Sequence, residues 1–292
     1  MATVSVIRIS NGQSGYLEVL RHVLTNGRLR APRGDPTLDA GFTVIKLASP
    51  LQALPVGLGR EISRNVAAAE AIQLIGGFAQ PDLLTKASPN FNRYARPDGT
   101  FHGAYGARIN YQVGCAVTKL IKDPATRQAV ITLWDPWRDN LPGELDYPCT
   151  VMIQFEADFD RPMSTVPVLV MNVVMRSSDA WLGLPYDMFQ FAQLQLSVAR
   201  ALSWHAGQYR HTTLSLHLYT RDAISAEKIA VPGSPPIDGR FQPEGIGRPG
   251  DAFSTIMKRA RQVVNAGVND LVLDDPTASE SWYCERFASY MG

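Results

Sequence analysis

Few residue types can carry covalent or proton-transfer chemistry, and in this chain several of them sit inside well-defined local patterns. Cys149 follows Pro148 at the head of an alternating stretch, residues 149–155. As a thiolate a cysteine attacks electrophilic carbon, although an isolated cysteine in a strand is more often a buried, inert apolar residue. Glu70 stands amid a helical pattern of Ile62, Val66, Ala69, Ile72, Gln73 and Ile75, where a carboxyl group is rarely buried without a task. A solvent-facing Glu70 is the alternative, which the neighbouring Ala67, Ala68 and Ala69 do not exclude. Asp187 follows Pro185 at the start of a second helical pattern. Its carboxylate would accept two hydrogen bonds from a ligand or cap the helix, since Asp is a favoured N-cap. His217 and Tyr219 alternate onto one face of a strand, which taken alone is the pattern of a core pair.

The elements that must position these groups follow from periodicity. Residues 13–27 and 61–76 predict helices, and residues 28–39, rich in Gly, Pro and Arg, predict a loop between them. Residues 88–106, with Pro89, Pro97, Gly99, Gly103 and Gly106, predict an irregular stretch, and 107–121 a helix leading into Asp123-Pro124. Strands are expected at 128–134, 149–155 and 166–176, apolar enough to be buried on both faces. A helix at 185–202 presents Met188, Phe189, Ala192, Leu196 and Ala199 at helical spacing, and 212–219 returns to a strand. Beyond Tyr219 the signal weakens to a Pro/Gly-rich stretch at 231–250, a helix at 251–267 and a final Trp282-Tyr283 segment. There is no internal repeat and no low-complexity tract.

Bulk properties exclude some functions. The 292 residues are 45% apolar with a formal net charge of +1, so no overall field draws the protein to nucleic acid or an anionic membrane. An anionic ligand must be held locally. Residues 1–8 lack a basic region followed by an apolar stretch, and no run of ~18 apolar residues occurs, so a cytoplasmic protein with neither membrane nor nucleic-acid partners is expected. Three widely spaced cysteines, Cys115, Cys149 and Cys284, suit neither a disulfide framework nor a zinc site, and the five histidines do not cluster with them. No metal is expected.

Five motifs occur in a telling order: Gly103-Ala104-Tyr105-Gly106; Asp123-Pro124-Ala125-Thr126-Arg127 before a strand and Trp134; Pro148-Cys149; Arg176-Ser177-Ser178-Asp179 continuing through Leu182-Gly183-Leu184-Pro185 to Asp187; and His217-Leu218-Tyr219. This order resembles the thymidylate synthase family over about residues 33–219. The resemblance implies one α/β (α+β) catalytic domain over residues 1–292, with a large mixed β-sheet flanked by helices, working as a homodimer. It implies a pyrimidine nucleoside monophosphate as substrate and 5,10-methylenetetrahydrofolate as co-substrate. Cys149, its pKa lowered by the charge of Arg176, would add to C6 of the pyrimidine and make C5 nucleophilic. Arg33, Arg127 and Arg176 would fork onto the phosphate, with Arg127 reaching the neighbouring subunit's site, and Ser177 would donate to the same phosphate. Ser178 belongs to the same substrate-binding block. Asp179 and Gly183 would face the folate, with the backbone of Asp179 at the base, and His217 and Tyr219 would hold the sugar 3′-hydroxyl. Glu70 would organise water and move protons at base and folate.

Departures from the family pattern carry as much information. The family has Asn where this chain has Asp187. Asn donates and accepts, matching O4 and N3–H of uracil; an ionised carboxylate only accepts and so matches the N4 amino group and protonated N3 of cytosine, with a mismatch toward uracil of ~1–3 kcal/mol. This Asn-to-Asp change resembles the cytidylate-modifying branch of the family, in which water adds to a C5 methylene. Arg127-Gln128 stands where two successive arginines are usual, and Pro32-Arg33-Gly34-Asp35-Pro36-Thr37 is a reduced phosphate loop. Thr150 replaces the His after the nucleophile. Residues 285–292 lack the Pro-rich tail that closes over folate, and a looser lid suits a site that must admit water. The expectation is therefore a cytidylate 5-hydroxymethyltransferase, with dCMP the first choice of substrate and CMP the second. The alternatives are reductive C5 methylation of dCMP or dUMP, and a non-catalytic nucleotide-binding protein.

Overall fold

Apolar side chains at every second position build the strands, and three helices, one of them almost wholly buried, build the layer laid across them. In chain order the elements are β1 (Ser5–Ile9), α1 (Gly12–Asn26), β2 (Arg28–Arg30), β3 (Thr37–Leu47), α2 (Arg64–Gly76), α3 (Asp82–Ala87), α4 (Tyr105–Lys122), β4 (Val130–Thr132), α5 (Pro136–Asp139), β5 (Thr150–Asp158), β6 (Val168–Met175), β7 (Ser178–Asp179), α6 (Leu184–Leu202), β8 (His205–Tyr219), α7 (Thr220–Ala230), α8 (Phe253–Asn269) and α9 (Ala278–Met291). The computed structural model describes residues 5–10, 12–55, 59–79, 82–159, 166–230, 242–269 and 273–291. Residues 1–4, most of the Pro/Gly-rich stretch at 231–250 and the final Gly292 lie outside the described residues.

The sheet runs β1-β3-β8-β6-β5-β4, with β2 added to β3 and β7 to β8. β1/β3, β6/β8 and β7/β8 are parallel, and the remaining pairs are antiparallel. A mixed sheet flanked by helices is the α/β architecture that the sequence led us to expect. Helices α1, α4 and α6 lie against the sheet, and α2 packs outside them on α4, α6, α8 and α9. The core is one cluster running from Ile9 to Phe287, with Phe155, Phe189, Phe191 and Tyr209 among its largest members.

The opposite face corrects the expectation that the strands are buried on both sides. A register row crosses six strands, Val6–Val44–Thr212–Val174–Met152–Thr132, and all six side chains are partly or fully exposed. Apolar content alone could not distinguish a strand covered twice from one covered once. Local differences have similar causes. Residues 28–39, expected as loop, contain β2 and the head of β3; β4 is shorter than 128–134, and β8 starts at His205, well before residue 212. Helices α7 and α9 were not anticipated. The buried positions of α7 are Ala226 and Ala230, too small to give a strong apolar stripe.

Two helices position the site. Ser63 caps α2, its Oγ accepting from Val66 N at 3.3 Å, and Gly77 ends the helix with a left-handed φ of 71°. The Ser63 N–H also donates to Tyr186 Oη at 3.1 Å. The starts of α2 and α6 are thereby joined, which sets the helix bearing Glu70 against the helix bearing Asp187.

Candidate active site

A cavity of ≈ 170 Å³ opens where α2, α4, α6 and the segment before β5 converge. Its polar lining is Glu70, Gln73, Asp146, Cys149, Asp187 and Gln190, and Leu84, Phe91, Tyr94, Phe101 and Tyr105 supply apolar and aromatic walls. Flat aromatic walls beside a few convergent polar groups suit a planar heterocycle. Three expected catalytic residues, Glu70, Cys149 and Asp187, meet here from sequence positions far apart.

Cys149 stands immediately before β5, its carbonyl accepting from Arg176 N at 2.8 Å. Arg176 is fixed by its own surroundings: Nε donates to Pro148 O at 2.9 Å, Nη2 to Tyr147 O at 3.1 Å and Nη1 to Ser177 Oγ at 3.2 Å. Its guanidinium also lies 5.8 Å from the Trp134 ring centre. Ser177 Oγ donates to Cys149 Sγ at 3.7 Å, so arginine, serine and thiol form one connected group. Burial nevertheless pushes the thiol pKa up; Arg176 and the Ser177 hydrogen bond pull the other way, and the nearby Asp187 and Asp146 add to the rise. The expected lowering by Arg176 is present but outweighed, because desolvation acts on the thiolate from every side.

Asp187 lies in the first turn of α6 without capping it. The N-cap is Gly183, with no side-chain cap bond, and Asp187 Oδ1 instead accepts from Gln190 Nε2 at 3.1 Å. A side chain on Gly183 would stand 3.5 Å from Asp187 Oδ2, which places Gly183 beside the second carboxylate oxygen. Burial raises the Asp187 pKa to about 7, offset in part by Gln190 and reinforced by Asp179. Gln190 Nε2 also donates to Glu70 Oε2 at 3.4 Å, so one amide bridges the two carboxyl groups. Glu70 is held well above the ordinary range, first by burial and then by the charge of Asp187.

Asp146 forms the opposite wall, its Oδ2 accepting from Gly103 N at 3.0 Å. A Cβ at Gly103 would come within 2.7 Å of that oxygen, so only glycine permits the contact. Burial raises the Asp146 pKa, against the pull of the Gly103 N–H, His102, Arg108 and Arg176. Behind it, buried Asp139 accepts from Arg108 at 2.7 and 2.8 Å and lies 2.7 Å from His102 Nε2. This network ties the segment leading to Cys149 onto α4.

The remaining expected residues lie outside the cavity lining. Ser178 is 2% exposed and its Oγ bonds His211 Nε2 at 2.9 Å, while His211 Nδ1 bonds Tyr209 Oη at 2.7 Å. Strand alternation turns Ser178 into the core, away from the cavity lining. Asp179 Oδ1 accepts from Trp181 N at 2.8 Å and Leu182 N at 3.0 Å, shaping the turn into α6. His217 and Tyr219 share a face, their ring centres 5.6 Å apart, and Ala180 N bonds His217 O at 2.7 Å. Arg33 is exposed in a short turn with a left-handed φ of 56°. That turn is tied toward Tyr219 by Arg221, which bonds Asp35 at 2.8 Å and lies 4.0 Å from the Tyr219 ring centre. Arg127 is exposed in the turn before the edge strand β4, its carbonyl accepting from Gln154 Nε2 at 3.1 Å. It lies away from the cavity of its own chain.

Sequence reasoning did not single out Gln73, Asp146 and Gln190 as site residues. A glutamine in an apolar helix reads as a packing position, and no pattern shows that Gln73 and Gln190 line the same cavity. Among the described residues no cluster suited to a metal ion occurs and no helix is long and apolar enough to cross a membrane.

The family model for thymidylate synthase matches residues 14–230, and the chain belongs to that family. It is 25% identical over 224 residues to a deoxyuridylate hydroxymethyltransferase of Bacillus phage SP01, covering 71% of this chain and 57% of that protein. A protein of the same description from Pseudomonas phage M6 is 24% identical over 264 residues, covering 86% and 73%. Thymidylate synthase of Bacillus licheniformis is 28% identical over 142 residues, covering 45% and 48%. The match thus spans little more than half the length of the SP01 protein and about half of the thymidylate synthase.

Proposed function

We propose that this protein is a cytidylate 5-hydroxymethyltransferase that takes its one-carbon unit from 5,10-methylenetetrahydrofolate. The observation that carries the base assignment is Asp187, a carboxyl group on the cavity wall fixed by Gln190, where the family has Asn. Cytosine presents an N4 amino donor, which Asp187 accepts, and N3, with which it shares a proton. A proton near N3 draws electrons from the ring as sulfur adds, so the same contact reads the base and activates it.

On this reading the lining supplies the nucleophile and the base. Cys149 Sγ would bond to C6 and make C5 nucleophilic, and the folate would supply the one-carbon unit, which stands on C5 as a methylene once the C5 proton has gone to solvent and tetrahydrofolate has left. Water adds to that methylene, Glu70 takes its proton, and cleavage of the C6–S bond restores the ring and frees the thiolate. No electron donor is consumed, and the phage relatives described as hydroxymethyltransferases support this ending over reduction. The aromatic walls of the cavity fit a flat pterin or base. Arg176 and Ser177, beside the thiol, are the proposed phosphate donors of the same chain, with Arg33 from its turn. Asp179 and Gly183 are the proposed contacts to the folate. The sugar hydroxyl falls to His217 and Tyr219.

A uridylate substrate is the second reading, and the Asp187 pKa of about 7 favours it: a protonated carboxyl both donates and accepts, as Asn does. On that reading dUMP turnover falls as pH rises through about 7. Competition among dCMP, CMP and dUMP at pH 6 and pH 8.5 separates the two, and turnover of dUMP alone at both values would refute the cytidylate assignment.

A further inference from the structure

Gln73 is 6% exposed, and its amide nitrogen is a buried donor with no hydrogen-bond partner. Leaving such a group unpaired is unfavourable, and native structures rarely do so without a reason. The neighbouring buried amides are engaged: Gln190 on two carboxyl groups, Gln193 on Pro243 O at 2.8 Å and Gln195 on Leu169 O at 2.8 Å. Gln73 lines the cavity, while its unpaired nitrogen, as placed, has almost no accessible surface. It lies three residues after Glu70 on α2, one turn along the same helix face, and half a turn of its terminal torsion exchanges nitrogen and oxygen.

With the amide turned that way its donor faces the cavity, on the helix face that carries Glu70, and an acceptor can enter there. The base edge already has Asp187, which Gln190 holds in place. A water molecule next to Glu70 needs what this pair offers: a carboxylate to receive its proton and a donor to fix the orientation of its oxygen. We propose that Gln73 is a catalytic residue of the hydration step, donating to the oxygen of the water whose proton passes to Glu70 as that oxygen bonds to the C5 methylene. This inference rests on the hydroxymethylation reading. The step balances: a C–O bond forms, one water O–H bond breaks, the proton goes to Glu70, and the electron pair of the exocyclic double bond moves into the ring and then expels Cys149. Nothing is oxidised or reduced.

The test separates hydration from the earlier chemistry. With 5-tritiated dCMP and methylenetetrahydrofolate, tritium release reports formation of the C5 methylene, and hydroxymethyl product reports its hydration. In Gln73→Leu and in Gln73→Met, which is closer in size, product per tritium released is expected to fall about tenfold. Added 2-mercaptoethanol should then capture the methylene as a thioether. An unchanged ratio in either variant that releases tritium overturns the role of Gln73 while leaving the hydroxymethylation reading intact. Wild-type enzyme that releases tritium but forms no hydroxymethyl product overturns that reading, and the role of Gln73 with it.

Discussion

Cys149 and Asp187 make the most specific demands on experiment. Cys149→Ala is expected to abolish turnover and leave cytidylate binding measurable by calorimetry; wild-type protein should form a covalent adduct with 5-fluoro-dCMP and methylenetetrahydrofolate that the variant cannot. Asp187→Asn should shift the ratio of kcat/KM toward dUMP, because an amide donates to O4 where a carboxylate repels it, and an unchanged ratio would remove Asp187 from base reading. The same substitution has a thermodynamic signature. The folded-state pKa of Asp187, about 7, lies above the ordinary 3.8. Its contribution to stability is therefore complete below 3.8 and lost as pH rises through about 7, with an upper bound of ~4 kcal/mol. Unfolding midpoints of the wild type should fall over that window more steeply than those of Asp187→Asn. The residue types at 70, 149 and 187 were legible because motifs surround them. The net rise of the Cys149 pKa was not, since desolvation depends on what packs around a group rather than on its sequence neighbours.

At the scale of elements, the site depends on how closely α2, α4 and α6 approach. Gly106 in α4 lets that helix lie against α2: a Cβ there would fall 1.9 Å from Gln73 O. Gly106→Ala is expected to cost ~2 kcal/mol or more in denaturant unfolding and to lower turnover by displacing Gln73 and Glu70; wild-type stability would show that the helices have room to part. Both helices were legible at nearly their true lengths, because their apolar residues recur at helical spacing. The missed strands and helices were those whose partners decide them. β1 and β3 pair with each other, and β3 pairs with β8, while α1 packs on β3, whose Ile45 and Leu47 are buried. α9 holds its amphipathic face through Tyr283 and Phe287, of which the sequence flagged only the first aromatic pair.

At the scale of the molecule, the uncovered sheet face and Arg127 belong to one question. A face carrying Val44, Val174 and Met152 across its middle strands is expected to bury itself against a second copy, which would bring Arg127 to the partner's phosphate site. Val174→Arg should convert a dimer to a monomer in sedimentation equilibrium and abolish turnover. Mixing the inactive Cys149→Ala and Arg127→Ala proteins, with subunit exchange, should restore activity, since each hybrid has one site with both groups intact. Unrestored activity despite hybrid formation would place Arg127 in its own chain's site or outside the chemistry. Underneath these tests lies the reaction itself, read most directly by mass analysis of the nucleotides after incubation with methylenetetrahydrofolate and a mixture of dCMP, CMP and dUMP. A cytidylate gaining one CH₂O unit is the predicted result. A gain of CH₂, or a gain confined to dUMP, would contradict it.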